Sequence, residues 1–153
     1  MFDLALSGNV TLLMFLHPQP SNEIGAHETQ AIGAGFTWVA QQPETELFTT
    51  LVTEAEVFTV LSFFGRGKRR ERLLATAEGM FSEDFAGRVF VFDSDAARVF
   101  AKIGAARRAL GRPISHADAQ IAALAQVRGS KLATRNVGDF EDCGIEVVDP
   151  WNG

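Results

Sequence analysis

The chain has no tyrosine, one cysteine and no apolar run long enough to cross a bilayer. Each absence excludes a class of protein. A lone thiol, Cys143, cannot form an intramolecular disulfide, which fits a reducing cytosol better than secretion. The apolar run from Val10 to Leu16 falls well short of the about 20 residues a membrane helix needs. It also lacks the basic flank and small-residue cleavage site of a signal peptide. A cytoplasmic protein with no membrane contact is expected. Positive charge is scarce too: 14 Lys and Arg against 19 Asp and Glu leave a net charge of -5. That argues against a broad basic footprint for duplex nucleic acid and leaves room only for a local patch. The chain has no H-E-x-x-H, Walker A or G-x-G-x-x-G motif, which disfavours zinc proteases, nucleoside triphosphatases and dinucleotide enzymes.

What is present describes one ordinary globular domain over residues 1–153. The 153 residues are 46% hydrophobic and 22% charged, enough to bury a real core. Thirteen phenylalanines supply most of the aromatic content, and Phe58, Phe63, Phe64, Phe81, Phe90, Phe92 and Phe100 mostly fall where a core is expected. Phe2 to Leu6 reads as a first strand and Val10 to Leu16 as the start of a helix ended by His17-Pro18-Gln19-Pro20. A second helix follows over Glu28 to Gln42, a strand over Leu47 to Leu51 and a helix over Thr53 to Phe64. Gly65-Arg66-Gly67 breaks the chain before a long helix, Lys68 to Phe85. Arg88 to Phe92 is the next strand, and Ser94 to Leu110 an amphipathic helix with Ala97, Phe100, Ala101 and Gly104 inward. Ser115 to Arg128 is a small-residue helix suited to close packing, and Lys131 to Thr134 and Ile145 to Val148 are the last strands. Alternating strands and helices predict a three-layer α/β/α sandwich on a parallel sheet.

Three acids stand where strands give way to helices: Glu56, Asp118 and Asp139. In an open parallel sheet this edge collects ligands. Thr53-Glu54-Ala55-Glu56 and Ser115-His116-Ala117-Asp118 also have the form of capping boxes, in which the hydroxyl and the acid satisfy helix-start N–H groups. The alternative is a metal site. Three converging carboxylates repel unless protonated or bridged by a cation, and Mg²⁺ is a hard ion suited to carboxylates, waters and substrate phosphate.

The sequence around these acids resembles the PIN-domain ribonucleases, in particular toxins of the VapC and FitB type. Leu47-Phe-Thr-Thr-Leu-Val-Thr-Glu-Ala-Glu56 is similar to the family's segment for its second acid. Gly111-Arg-Pro-Ile-Ser-His-Ala-Asp118 is similar to that for the third. Leu132-Ala-Thr-Arg-Asn-Val-Gly-Asp139-Phe with Gly144-Ile-Glu-Val-Val-Asp-Pro-Trp151 is similar to the closing block. The resemblance covers Glu46 to Trp151. It implies a Mg²⁺- or Mn²⁺-dependent endoribonuclease with Glu56, Asp118 and Asp139 as catalytic and metal-binding acids. It also implies an RNA substrate, a cognate antitoxin and a homodimer.

The N-terminal third departs from the pattern. The family opens with a strand running into Leu-Asp-Thr-Asn-Val, and the best match here is Leu6-Ser7-Gly8-Asn9-Val10. Ser7 thus stands at the first-acid position with a neutral hydroxyl, and Asn9 is a supporting polar residue. Asp3 is an alternative first acid, but it requires a shifted register. The rival reading is a non-catalytic PIN-fold module that still pairs with an antitoxin or RNA.

Among the basic residues, Arg69 and Arg70 lie in the densest run, Arg66 to Arg72, and Arg135 lies beside the acids. All three are candidate contacts for RNA phosphate; the plainer reading is a solvated helix start for the first two and a salt bridge for Arg135. Arg107, Arg108 and Arg112 either contact RNA or solvate a helix end. Cys143 reads as a structural residue in a turn, Glu141 and Asp142 as solvent-facing acids, and His116 as a partly exposed helix residue.

Overall fold

The computed structural model describes residues 11–13 and 37–152. Five parallel strands form its sheet: β1 (Thr11–Leu13), β2 (Leu47–Thr50), β3 (Val89–Phe90), β4 (Lys131–Ala133) and β5 (Val147–Val148). Their order is β3-β2-β1-β4-β5, with β1 at the centre. Thr11 is level with Leu47 on one side and Lys131 on the other, and Leu12 with Phe48 and Leu132. The helices are α1, described over residues 37–41, α2 (Leu51–Phe63), α3 (Lys68–Gly79), α4 (Ser94–Ala109) and α5 (His116–Arg128).

Side chains alternate across a strand, so Phe48 and Leu132 face one way and Leu47 and Ala133 the other. Two cores follow. Phe48 and Leu132 join Ile103 of α4, Ile121, Ala122, Ala123 and Ala125 of α5, and Phe140. Leu47 and Ala133 join Phe85, with Trp38, Val39 and Met80 packed against them. Strands apolar on both faces belong in a covered parallel sheet, and this one has the three α/β/α layers expected from the sequence. The alanines of α5 let it lie close to the sheet and to α4; Arg128 at its end pairs with Asp93, the N-cap of α4, at 2.7 Å.

Three local expectations are corrected. Thr11–Leu13 is a strand, not the interior of a helix. A short unbroken apolar run fits a buried parallel strand as well as a helix, and periodicity cannot separate them. The inward stripe of α4 is Ala96, Ile103 and Arg107 with Val99 and Phe100, whereas Ala97 and Ala101 are exposed. Phe63 is 82% exposed rather than core. The strand expected at Phe2 to Leu6, the first part of the helix expected from Glu28, and Asp3, Ser7 and Asn9 lie outside the described residues. In chain order Ser7 and Asn9 precede β1, while the residues leaving its carboxyl end begin with Met14.

Candidate carboxylate site

The carboxyl edge of the sheet is built from hydroxyls before it is built from acids. Thr49 and Thr50 end β2, Thr134 follows β4, and all three are buried, as is Thr53 in the first turn of α2. The Thr50 hydroxyl accepts the Thr53 N–H at 2.9 Å, and the two hydroxyl oxygens are 2.9 Å apart. Thr50 is therefore the N-cap, and α2 starts two residues earlier than the sequence reading placed it. The capping box expected between Thr53 and Glu56 is replaced by this one. Glu56 sits half-buried in the second turn, past the N–H groups that need caps.

At α5 the expected cap is present. Ser115 is the N-cap, its hydroxyl accepting the Asp118 N–H at 3.1 Å and donating to the Asp118 carboxylate at 2.6 Å. Asp118 is half-buried. Asp139 is exposed in the 3-10 turn Val137–Phe140, its N–H donating to Asn136 O at 3.1 Å. That turn is anchored at both ends. Thr134 Oγ1 accepts the Asn136 N–H at 3.1 Å, and Phe140, 1% exposed, enters the core against α5.

Glu56 and Asp139 thus follow strands β2 and β4 on separately anchored elements, and Asp118 stands at the capped start of α5, which follows α4. Their oxygens suit a hard divalent cation. Among the described residues, however, no three Asp, Glu, His or Cys stand close enough together to hold a metal ion. The donor chemistry fits and the spacing of the described residues does not, so no reaction step is derived through a metal.

Two of the candidate RNA contacts have partners within the protein. The Arg69 guanidinium lies over the Phe64 ring at 5.7 Å, and Arg70 Nε donates to Leu61 O at 3.2 Å. Arg69 remains exposed, as does Arg135. Arg107 and Arg112 do not serve as a solvated helix end. Arg107 is 5% exposed; its Nε donates to Arg112 O at 2.7 Å and its Nη1 to Glu141 O. Arg112 pairs with Asp142 at 2.9 Å and with the Glu141 carboxylate. The Arg112 guanidinium holds Glu141 below the usual carboxylate range, and Glu141 in turn raises Arg112. Cys143 is buried in the same turn. Burial pushes its thiol up, Arg107 opposes this, and the charges of Asp142 and Asp118 add to it.

The sequence reading missed Thr50 and Arg107. Thr50 carried a usable signal, a hydroxyl residue immediately before an apolar helical stretch. Arg107 carried none, since burial of an arginine on carbonyl groups depends on loops distant in sequence.

Comparison with known proteins fixes the class. The PIN domain profile matches residues 26–144. The plasmid stability protein StbB of Pseudomonas syringae pv. tomato is 35% identical over 114 residues, 74% of this chain and 82% of the relative. The VapC ribonuclease Y4jK of Sinorhizobium fredii is 36% identical over 118 residues, 77% of this chain and 84% of the relative. The structure of FitAB bound to an IR36 DNA fragment superposes with a TM-score of 0.77 at 26% identity, covering 94% of this chain and 97% of that one. The chain belongs to the PIN-domain family, and its similar proteins are VapC- and FitB-type members. Among the described residues no helix is long and apolar enough to cross a membrane.

Proposed function

We propose that the protein is an endoribonuclease toxin whose site acids are Glu56, Asp118 and Asp139, acting with Mg²⁺ or Mn²⁺. What supports this reading is that Glu56 and Asp139 lie on elements that follow β2 and β4 at the carboxyl side of a parallel sheet, where such folds bind ligands, with Asp118 capped at the start of α5. Glu56 would present its carboxylate from α2, Asp118 from the start of α5 with Ser115 orienting it, and Asp139 from its anchored turn. A bound divalent cation would supply activated water and charge stabilisation for phosphodiester hydrolysis. Arg135 and Arg69, both exposed, and Arg70 are the basic side chains offered to RNA phosphate. A cognate antitoxin, a homodimer and a cytoplasmic location belong to the same reading; the antitoxin is supported by similarity to FitAB, a complex.

A second reading, a non-catalytic module that pairs with an antitoxin or RNA, is favoured by one specific feature. Leu6-Ser7-Gly8-Asn9-Val10 contains no acid, and the residues that follow β1, Met14-Phe15-Leu16, are all apolar. RNA cleavage in Mg²⁺ and Mn²⁺ by the native chain, Asp118→Asn, Ser7→Asp and Met14→Asp separates the two. Native cleavage abolished by Asp118→Asn establishes the nuclease. Activity only in Ser7→Asp or Met14→Asp identifies a scaffold that has lost its first acid, and tells which position held it. Silence from all four on a broad RNA panel leaves the binding module.

A further inference from the structure

Helix α2 is apolar on the side it buries and also on the side it does not. Of its 13 residues only Glu54 and Glu56 are charged, and both lie in its first half. Inward, Thr53 and Leu61 are buried and Val52 packs on the core that α5 lines. Outward, Leu51, Ala55, Thr59 and Phe63 are exposed, Leu51 at 45% and Phe63 at 82%. These four recur every fourth residue, so they form one ridge along the helix, about 18 Å long. The hydroxyls on this side are satisfied by the helix itself. Thr59 Oγ1 donates to Ala55 O at 2.7 Å, and Ser62 Oγ donates to Thr59 O at 2.6 Å. A surface helix ordinarily carries charge along its outer face, and an apolar outer ridge marks an interaction surface.

The order of side chains in the ridge suits a copy of itself. Ala55 and Thr59, both small, occupy the middle and let a second helix come close. Leu51 and Phe63, both large, stand at the two ends. A two-fold axis between Ala55 and Thr59 reverses the second ridge, so Leu51 meets the partner subunit's Phe63 at one end and the same pair recurs at the other. Rows of spacing four laid against each other are the commonest form of helix–helix packing. Charge obeys the same reversal. Glu54 lies at the Leu51 end, while Arg66, Lys68 and Arg69, all exposed, lie just beyond Phe63. An antiparallel copy brings opposite signs together at both ends, and a parallel copy would bring like signs together.

We propose that α2 forms the homodimer face of this protein, a second copy of the chain laying its α2 antiparallel on the ridge Leu51, Ala55, Thr59 and Phe63. The inference rests on the homodimer of the reading above and gives it a location. It uses none of the site acids, so it stands whether or not the chain cleaves RNA. One helix pair is smaller than a standard interface, so dissociation in the range of about 1–100 μM is expected.

The test is sedimentation of the full-length native chain from about 1 to 200 μM, beside Ala55→Arg, Phe63→Ser and Leu110→Ser. The native chain should pass from monomer to dimer across that range. Phe63→Ser should weaken the dimer by about 30-fold, the order of an interface hot spot, and Ala55→Arg, at the centre of the ridge, by at least as much. Leu110→Ser changes another exposed apolar side chain, at the end of α4, and should leave the dimer at its native strength. Direction is read by oxidation in a Cys143→Ala background. Leu51→Cys mixed with Phe63→Cys should cross-link, and either one alone should not. A native chain that stays monomeric at every concentration overturns both the homodimer and its face; binding of single-stranded oligouridylate that Phe63→Ser weakens would then assign the face to RNA. A dimer indifferent to Ala55→Arg and Phe63→Ser keeps the homodimer and overturns the face. Cross-linking by Leu51→Cys alone overturns the antiparallel arrangement.

Discussion

Ser115 and Asp118 share one hydroxyl in two roles: Ser115 Oγ accepts the Asp118 N–H at 3.1 Å and donates to the Asp118 carboxylate at 2.6 Å. Capping and orientation of an acid are therefore one arrangement here. The hydroxyl that caps the start of the helix also fixes the direction in which the carboxylate points. Ser115→Ala should destabilise the fold by about 1 kcal/mol, the usual value of an N-cap hydroxyl. Ser115→Thr should restore most of that loss. Urea unfolding of the three proteins measures it, and an unaffected Ser115→Ala would mean that the cap carries no weight.

The start of α2 makes a sharper comparison. Thr50 accepts the Thr53 N–H, and both residues are buried. Thr50→Val leaves that N–H without its acceptor and should cost about 1–3 kcal/mol. Thr53→Val leaves the Thr50 hydroxyl still bonded to the Thr53 N–H and should cost less than about 1 kcal/mol. The reverse order in chemical denaturation would return the cap to Thr53, as the sequence alone suggested.

How much was legible follows from which interactions are local. The parallel sheet, β2, α5 with its Ser115 cap and the turn at Cys143 were all readable, because alternation of elements, small-residue runs and capping signals are carried by neighbouring residues. The identity of β1 was not. Val10-Thr11-Leu12-Leu13 is compatible with helix or strand, and only pairing with β2 and β4 decides it. The inner face of α4 was misjudged by about one residue, since the face that packs inward is chosen by core partners distant in sequence, Phe48 and Leu132 among them. The acids were visible individually, but whether they converge is a property of loops distant in sequence.

The Arg112–Glu141 pair gives a pH signature. Arg112 lowers the folded pKa of Glu141, so its contribution to stability is fully present above the ordinary carboxylate pKa. It is lost as pH falls through the lowered folded value. The difference in urea midpoint between the native chain and Glu141→Gln should be largest at pH 7 and should vanish in strong acid. Both groups are exposed, so added salt should reduce the difference at pH 7. A gap that persists unchanged in acid would assign the effect of Glu141→Gln to something other than charge.

Cys143 is the alkaline counterpart, and the chain's lack of tyrosine leaves its signal uncrowded. Burial raises the folded thiol pKa above its unfolded value, and Arg107 offsets this only in part. The contribution to stability is therefore complete below the unfolded thiol pKa and declines as pH rises through the folded value. Between neutral pH and about pH 10, the native chain should lose more of its urea midpoint than Cys143→Ala does. Ellman's reagent should modify native Cys143 only as fast as the turn opens, because the thiolate is the reactive form and burial suppresses it. Removing the guanidinium in Arg107→Met has opposing consequences: it takes away the charge that favours the thiolate, and it frees the turn to open. Opening dominates if the Arg107 hydrogen bonds hold the turn closed, so the reaction should accelerate. A slower reaction in Arg107→Met would instead mean that the cation's field, not the closure of the turn, governs access to the sulfur.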